Sequence, residues 1–109
     1  MSSIPTLDND NFEAEVLQAQ QPVLVDFGAE WCHPCKQLDP IIEELAEEWS
    51  DRVKLFKLDI DTNLDITMRY GVMGVPSLIL FVGGEPVKHL TGFMPKKRIV
   101  DELSTLIGL

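Results

Sequence analysis

The chain has 109 residues and a mass of 12.3 kDa, with 45% hydrophobic and 25% charged side chains. At about 100–200 residues per domain, that is one domain with a core of its own. Nine basic residues against 18 acidic ones leave a net charge of −9, the reverse of the basic footprint expected for binding nucleic acid or an anionic membrane.

No run approaches the ~20 apolar residues of a membrane span, and residues 1–21 lack the apolar stretch of a secretory signal. Two cysteines are too few for a disulfide-rich scaffold or for a four-cysteine zinc site within one chain. The chain is therefore read as a soluble, cytoplasmic monomer with no nucleic-acid or membrane partner. Residues 1–50 hold eleven acids and a single base, Lys36, an imbalance explained first by solvated helix faces.

Asp8 or Asp10 is placed to cap a helix bearing Phe12, Val16 and Leu17, which Gln21-Pro22 ends. Val23-Leu24-Val25-Asp26-Phe27 follows as a strand too apolar on both faces for a sheet surface. From Pro34 to Trp49, the residues Leu38, Ile41, Ile42, Leu45, Ala46 and Trp49 recur at helical spacing, with Glu43, Glu44, Glu47 and Glu48 outside the stripe. Pro40 lies inside this helix and predicts a kink, since it removes one backbone donor. Val53, Leu55 and Ile60 bracket a second buried strand, with Phe56 and Leu58 on its other face. Asp61-Thr62-Asn63 reads as a cap cluster opening a helix through Leu64, Met68 and Tyr70, stopped by Gly71.

Ser77 to Val82, Gly83-Gly84-Glu85 and Val87 to Thr91 form an antiparallel hairpin. Pro95 suits the first turn of a closing helix whose stripe is Ile99, Leu103, Leu106 and Ile107. A short strand is also expected at Ser3 to Thr6. Strands alternating with helices predict a three-layer α/β domain whose central sheet is covered on both faces.

Trp31-Cys32-His33-Pro34-Cys35-Lys36 follows a buried strand and opens a helix, the context that makes a Cys-x-x-Cys pair meaningful. The two sulfurs fall within bonding reach across the first turn. Cys32 lies at or near the N-cap, where unpaired N–H groups and the positive dipole end favour an anion. The thiolate is the nucleophile, and a free thiol with a pKa of about 8.5 is mostly protonated at neutral pH. Two structural readings compete: an inert disulfide, which closes too small a loop to gain much, and a metal or cluster shared between two chains.

Val25-Asp26-Phe27, Ala29-Glu30-Trp31-Cys32, Pro34-Cys35-Lys36, Pro40, Tyr70-Gly71, Gly74-Val75-Pro76, Gly83-Gly84 and Gly92 resemble the thioredoxin family in order and spacing, along essentially the whole chain. The resemblance implies a single thioredoxin domain over residues 1–109. Its fold would be a three-layer α/β/α arrangement with a mixed five-stranded sheet and four helices. It implies reduction of protein disulfides with no cofactor beyond a redox-active Cys32–Cys35 disulfide, and re-reduction by a thioredoxin reductase. Cys32 would be the attacking thiol and Cys35 the resolving thiol.

Asp26 interrupts an apolar strand, so its pKa is expected to rise, and the resemblance makes it the proton acceptor and donor for Cys35. A hydrogen-bonded structural aspartate is the alternative. Lys57, on the neighbouring strand of the implied fold, is expected to pair with it. Val75-Pro76 resembles the family's cis-proline loop beside the cysteines; a trans proline starting a strand is the alternative. Trp31, Gly74, Val75, Pro76, Gly92 and Phe93 would form the docking rim for a client protein, whereas Trp49 fits the core better.

Three departures from the family pattern matter. His33 replaces the glycine commonest between the cysteines, and a protonated imidazole there would stabilise the Cys32 thiolate and raise the potential. That shift would lean the protein toward net disulfide oxidase or isomerase activity; a solvated neutral imidazole would not. Gly28 stands where the family usually has a second tryptophan. Met73 and Phe93 replace a basic and a small residue. A binding or assembly module with an incidental cysteine pair is the reading from another class.

Overall fold

The computed structural model describes residues 4–109. Its strands are β1 (Thr6–Leu7), β2 (Val23–Gly28), β3 (Lys54–Asp59), β4 (Ser77–Val82) and β5 (Glu85–Thr91), and they form one sheet in the order β1-β3-β2-β4-β5. β3 runs parallel to β1 and β2, whereas β4 is antiparallel to β2 and β5 antiparallel to β4. The sheet is therefore mixed, with β2 at its centre. Four helical segments accompany it among the described residues: a π-helical turn at Glu13–Leu17, then α1 (His33–Glu48), α2 (Leu64–Arg69) and α3 (Lys96–Leu103).

Two apolar clusters, one on each sheet face, make this a three-layer domain. On one face Leu24, Leu55, Leu78, Leu80 and Leu90 meet Leu38, Ile42, Leu45 and Trp49 of α1 with Ile99 and Leu103 of α3. On the other, Val23, Val25, Phe27, Phe56, Leu58, Ile79 and Phe81 meet Phe12, Val16 and Ile66. Alternation along β2 and β4 sends successive side chains to opposite clusters, which is why both strands are apolar throughout. Phe12, Tyr70 and Phe81 close the second cluster, with Phe81 edge-on to both other rings at centroid distances of 5.8 and 5.1 Å. α1 runs unbroken from His33 to Glu48 across Pro40.

Several expected details change. The first helix is a single wide turn, closed by the Gln18 N–H donating to the Glu13 carbonyl, and it stops before Gln21. Neither Asp8 nor Asp10 caps it: the cap residue is Phe12, without a side-chain bond, and the Asp8 carboxylate instead accepts from the N–H groups of Asp10 and Asn11 in the preceding turn. Ile60 lies just past β3 and packs with Phe56 and Leu58 rather than with Val53 and Leu55.

On α2 the buried residues are Ile66 and Thr67, while Leu64 and Met68 face outward. Asn63 occupies the cap position, but its side chain bonds elsewhere: it accepts from the Asn9 N–H and donates to the Asp59 carbonyl. Pro95 precedes α3 as its cap residue, the helix ends at Leu103, and Leu106 is exposed. The first strand is Thr6–Leu7; Ser3 lies outside the described residues.

The β4–β5 turn consists of Gly83 and Gly84, both at positive φ (62° and 82°), as a two-residue hairpin loop requires. Their surroundings differ. A Cβ at Gly84 would lie 2.7 Å from the Leu17 carbonyl oxygen, whereas one at Gly83 would meet nothing within 4 Å. Gly83→Ala should therefore lose only the left-handed backbone cost of about 1–2 kcal/mol. Gly84→Ala should lose clearly more, because the Leu17 backbone must also shift. Urea midpoints of the two variants compare them, and equal losses would remove the Leu17 contact from the account.

Candidate active site: a cysteine pair at a helix N-terminus

β2 delivers the cysteine turn. Beyond Gly28 the chain bends so that the Cys32 N–H donates to the Ala29 carbonyl at 3.1 Å. Cys32 is the N-cap of α1, with extended backbone (φ −89°, ψ 106°), and its Sγ accepts the Cys35 N–H at 3.2 Å. Cys32 and Cys35 are joined as a disulfide, with Cα atoms 5.3 Å apart. Both are nearly buried, at 3% and 7% exposure. His33 and Pro34 are exposed in the first turn of α1, where a proline sacrifices no useful donor. That first turn contains no acidic residue to offset the positive helix end that favours a sulfur anion.

Strand register gathers the other expected residues at the same end of the sheet. Phe27 of β2 lies opposite Ser77 of β4, and Ser77 lies opposite Thr91 of β5. The cysteine turn, the Gly74–Pro76 loop and the Gly92–Phe93 segment therefore leave the sheet side by side. The Val75–Pro76 bond is cis. The Gly92 N–H donates to the Pro76 carbonyl at 2.8 Å, and the Ser77 hydroxyl donates to the Gly74 carbonyl at 2.7 Å. Gly92 holds this geometry at φ 89°.

Trp31 is 68% exposed, and its indole N–H donates to Asp61 Oδ2 at 2.8 Å, while Trp49 is buried in the core. Asp61 as the anchor of this indole carried no signal in the sequence, where it reads as part of a helix cap. Met73, at 98% exposure, and the half-exposed Phe93 leave the loops apolar on the outside.

Asp26 is 6% exposed, and its Oδ1 has no hydrogen-bond partner. Burial pushes its pKa from the ordinary 3.8 up to about 7, against the pull of the Lys57 charge and with a smaller push from Asp39. Lys57 is its cross-strand neighbour in the parallel β2–β3 register. The expected Asp26–Lys57 ion pair is nevertheless not made. The Lys57 ammonium lies 2.7 Å from Asp39 Oδ1 on α1, a more exposed carboxylate that gives up less hydration to accept it. Asp39 was not among the expected site residues; its position one helical turn after Cys35 was the available clue. Among the described residues, no three His, Cys, Asp or Glu side chains are grouped to hold a metal ion.

Comparison with known proteins agrees with this geometry. The family model described as Thioredoxin matches residues 3–105. The thioredoxin of Alicyclobacillus acidocaldarius subsp. acidocaldarius is 44% identical over 102 residues, covering 94% of this chain and 96% of the relative. The thioredoxin of Synechocystis sp. (strain ATCC 27184 / PCC 6803 / Kazusa) is 36% identical over 103 residues, 94% of this chain and 96% of the relative. A bifunctional thioredoxin reductase/thioredoxin of Mycobacterium leprae (strain TN) is 42% identical over 97 residues, covering 89% of this chain and 21% of that longer protein.

A raised folded-state pKa at Asp26 makes stability depend on pH. The native state keeps this proton longer than the unfolded chain does, so the advantage is full below pH 3.8 and is lost as pH rises to about 7. At 1.36 kcal/mol per pKa unit the loss is on the order of 4 kcal/mol. Asp26→Ala should unfold at higher denaturant than the parent protein at pH 8, with the gap closing toward pH 4. Equal midpoints at pH 8 would remove the argument.

Proposed function

The chain belongs to the thioredoxin family of protein-disulfide oxidoreductases, and on that premise we propose that it reduces disulfides of client proteins as an electron shuttle. The redox group is the protein's own cysteine pair, and no separate cofactor is involved. The observation that supports this reading best is the position of Cys32 Sγ, capping α1 with the Cys35 N–H directed at it and the Cys35 sulfur bonded behind.

In the reduced protein, the helix end stabilises the Cys32 thiolate, which attacks a client disulfide and forms a mixed disulfide. Cys35 then attacks Cys32, and the client leaves as a thiol. For this step Cys35 must lose a proton. Asp26, with a pKa of about 7, is suited to accept it and to return it in the next cycle. Lys57, held by Asp39, keeps positive charge beside that carboxyl. Val75, at the cis-proline bond, offers backbone to an extended client segment, as one added strand would use it. Trp31, Gly74, Pro76, Gly92 and Phe93 complete the rim around it.

The same reading makes residues 1–109 one thioredoxin domain, acting as a cytoplasmic monomer re-reduced by a thioredoxin reductase. A relative that joins reductase and thioredoxin in one chain supports that partnership. No described helix is long and apolar enough to cross a membrane.

Reduced protein should accelerate the reduction of insulin by dithiothreitol, and Cys32→Ser should abolish the effect. Cys35→Ser should accumulate a mixed disulfide with its client through Cys32, resolvable by mass; a client trapped through Cys35 of the Cys32→Ser protein, and not by Cys35→Ser, would reverse the assigned order. His33, exposed at the first position of α1, is expected to favour the thiolate form when protonated. His33→Gly should therefore lower the potential in a glutathione titration by up to about 30 mV, equivalent to about 1.4 kcal/mol. An unchanged or higher potential in that variant would count against the histidine.

A further inference from the structure

A cleft of about 770 Å³ reaches Cys35 from a side that the client rim does not use. Asp26, Gly28, Cys35 and Lys57 line it, and Trp31, Cys32, Pro76 and Phe93 do not. Its volume suits a small molecule, not a protein segment with its flanking chain.

Three features of the cleft converge. The Asp26 carboxyl is buried there with Oδ1 unpartnered, a polar group still lacking a donor. Gly28 places no side chain over the sulfur on this side: a Cβ at position 28 would stand 3.4 Å from Cys35 Sγ, so any larger side chain would sit against it. The lining also carries a sign. With Lys57 paired to Asp39, the lining still holds Asp8, Glu30 and Asp59 against Lys36, an excess of negative charge that favours cationic or neutral visitors over anions.

We propose that this cleft is a second entrance to the redox pair, through which small cationic or neutral thiols and their disulfides exchange directly with Cys35. The inference rests on the redox reading of the pair. A small thiolate attacking Cys35 Sγ in the oxidised protein forms one new S–S bond and breaks the Cys32–Cys35 bond. The electron pair leaves on the Cys32 sulfur, the better leaving group because the helix end stabilises it. A second small thiolate attacks the small-molecule sulfur and releases Cys35, which takes up a proton. Two thiols have then become one disulfide, and the protein pair has gained two electrons.

The test uses the full chain with Cys32→Ser, which leaves Cys35 as the single thiol. Mixed-disulfide formation is followed by intact mass with cystamine, a small dication, and with the dianion dithiodipropionate. Cystamine should react about tenfold faster than the anionic disulfide. Gly28→Ala should slow the cystamine reaction, and Gly28→Leu should slow it further, by about tenfold or more, by closing access to the sulfur. If Gly28→Leu does not fold by circular dichroism, Gly28→Ala decides alone, since its methyl group fits at ordinary contact distance.

The reaction of Cys32 in a Cys35→Ser protein carrying the same changes should stay constant. A Cys35 rate indifferent to residue 28, or a preference for the anion, overturns the second entrance. An alkylation rate at Cys32 no faster than that of free cysteine would instead overturn the redox reading beneath it.

Discussion

Strand β2 is paired along both edges and buried on both faces, and the chemistry is attached to its C-terminal end. A slip of one residue would send Leu24 and Asp26 to the face of Phe12 and Phe81, and would exchange Val25 and Phe27 for them against α1. The register is thus held by apolar side chains on both sides of the sheet. Three relations of the site follow from it: the cysteine turn beside the cis-proline loop, Lys57 beside Asp26, and Gly28 against the Cys35 sulfur. Exchange between sulfurs needs such placement, because each thiolate must reach the sulfur it attacks along the bond that breaks.

Asp26 shows what this placement costs. A carboxyl destabilised on the order of 4 kcal/mol in its charged form offsets the burial of roughly two apolar side chains at about 1.5–3 kcal/mol each. Lys57 relieves it only in part, because its ammonium is held at Asp39. The result is a buried group that changes charge near neutrality, where a proton acceptor works best at cellular pH. The surrounding core tolerates it because Val23, Leu24, Val25 and Phe27 on the same strand are fully covered.

The two approaches to the sulfurs differ in character. Around the loops at the sheet end, Trp31, Met73 and Phe93 expose apolar surface, and the Trp31 ring is oriented by Asp61. This suits a protein partner that brings its own apolar area and backbone. The cleft behind Gly28 is lined by more carboxyl than ammonium groups. One sulfur pair thus lies between exposed apolar loops and a recess rich in carboxyl groups.

Short-range signals made much of this legible without coordinates. The apolar stretch Val23–Phe27, the stripe Leu38–Leu45, the Gly83-Gly84 turn and the Cys-x-x-Cys at a strand-to-helix junction each declare their structure within one window. The errors occurred where a short segment is decided by its neighbours. The helix read through Tyr70 ends at Arg69 and buries Ile66 and Thr67, for which the sequence reading named no face, and the first helix is a single π turn. Six or fewer residues cannot establish a period strong enough to choose a face.

Side-chain pairing was the least legible. Nothing local distinguishes Asp39 from Asp26 as the partner of Lys57, or identifies Asp61 as the acceptor for Trp31. The sequence alone determined which elements form, which sulfurs can bond and where an ionised one is favoured, because those follow from spacing and backbone chemistry. Tertiary structure alone decided which charges meet and which sulfur Gly28 lies against, because those depend on residues brought together across the sheet and on the water each gives up.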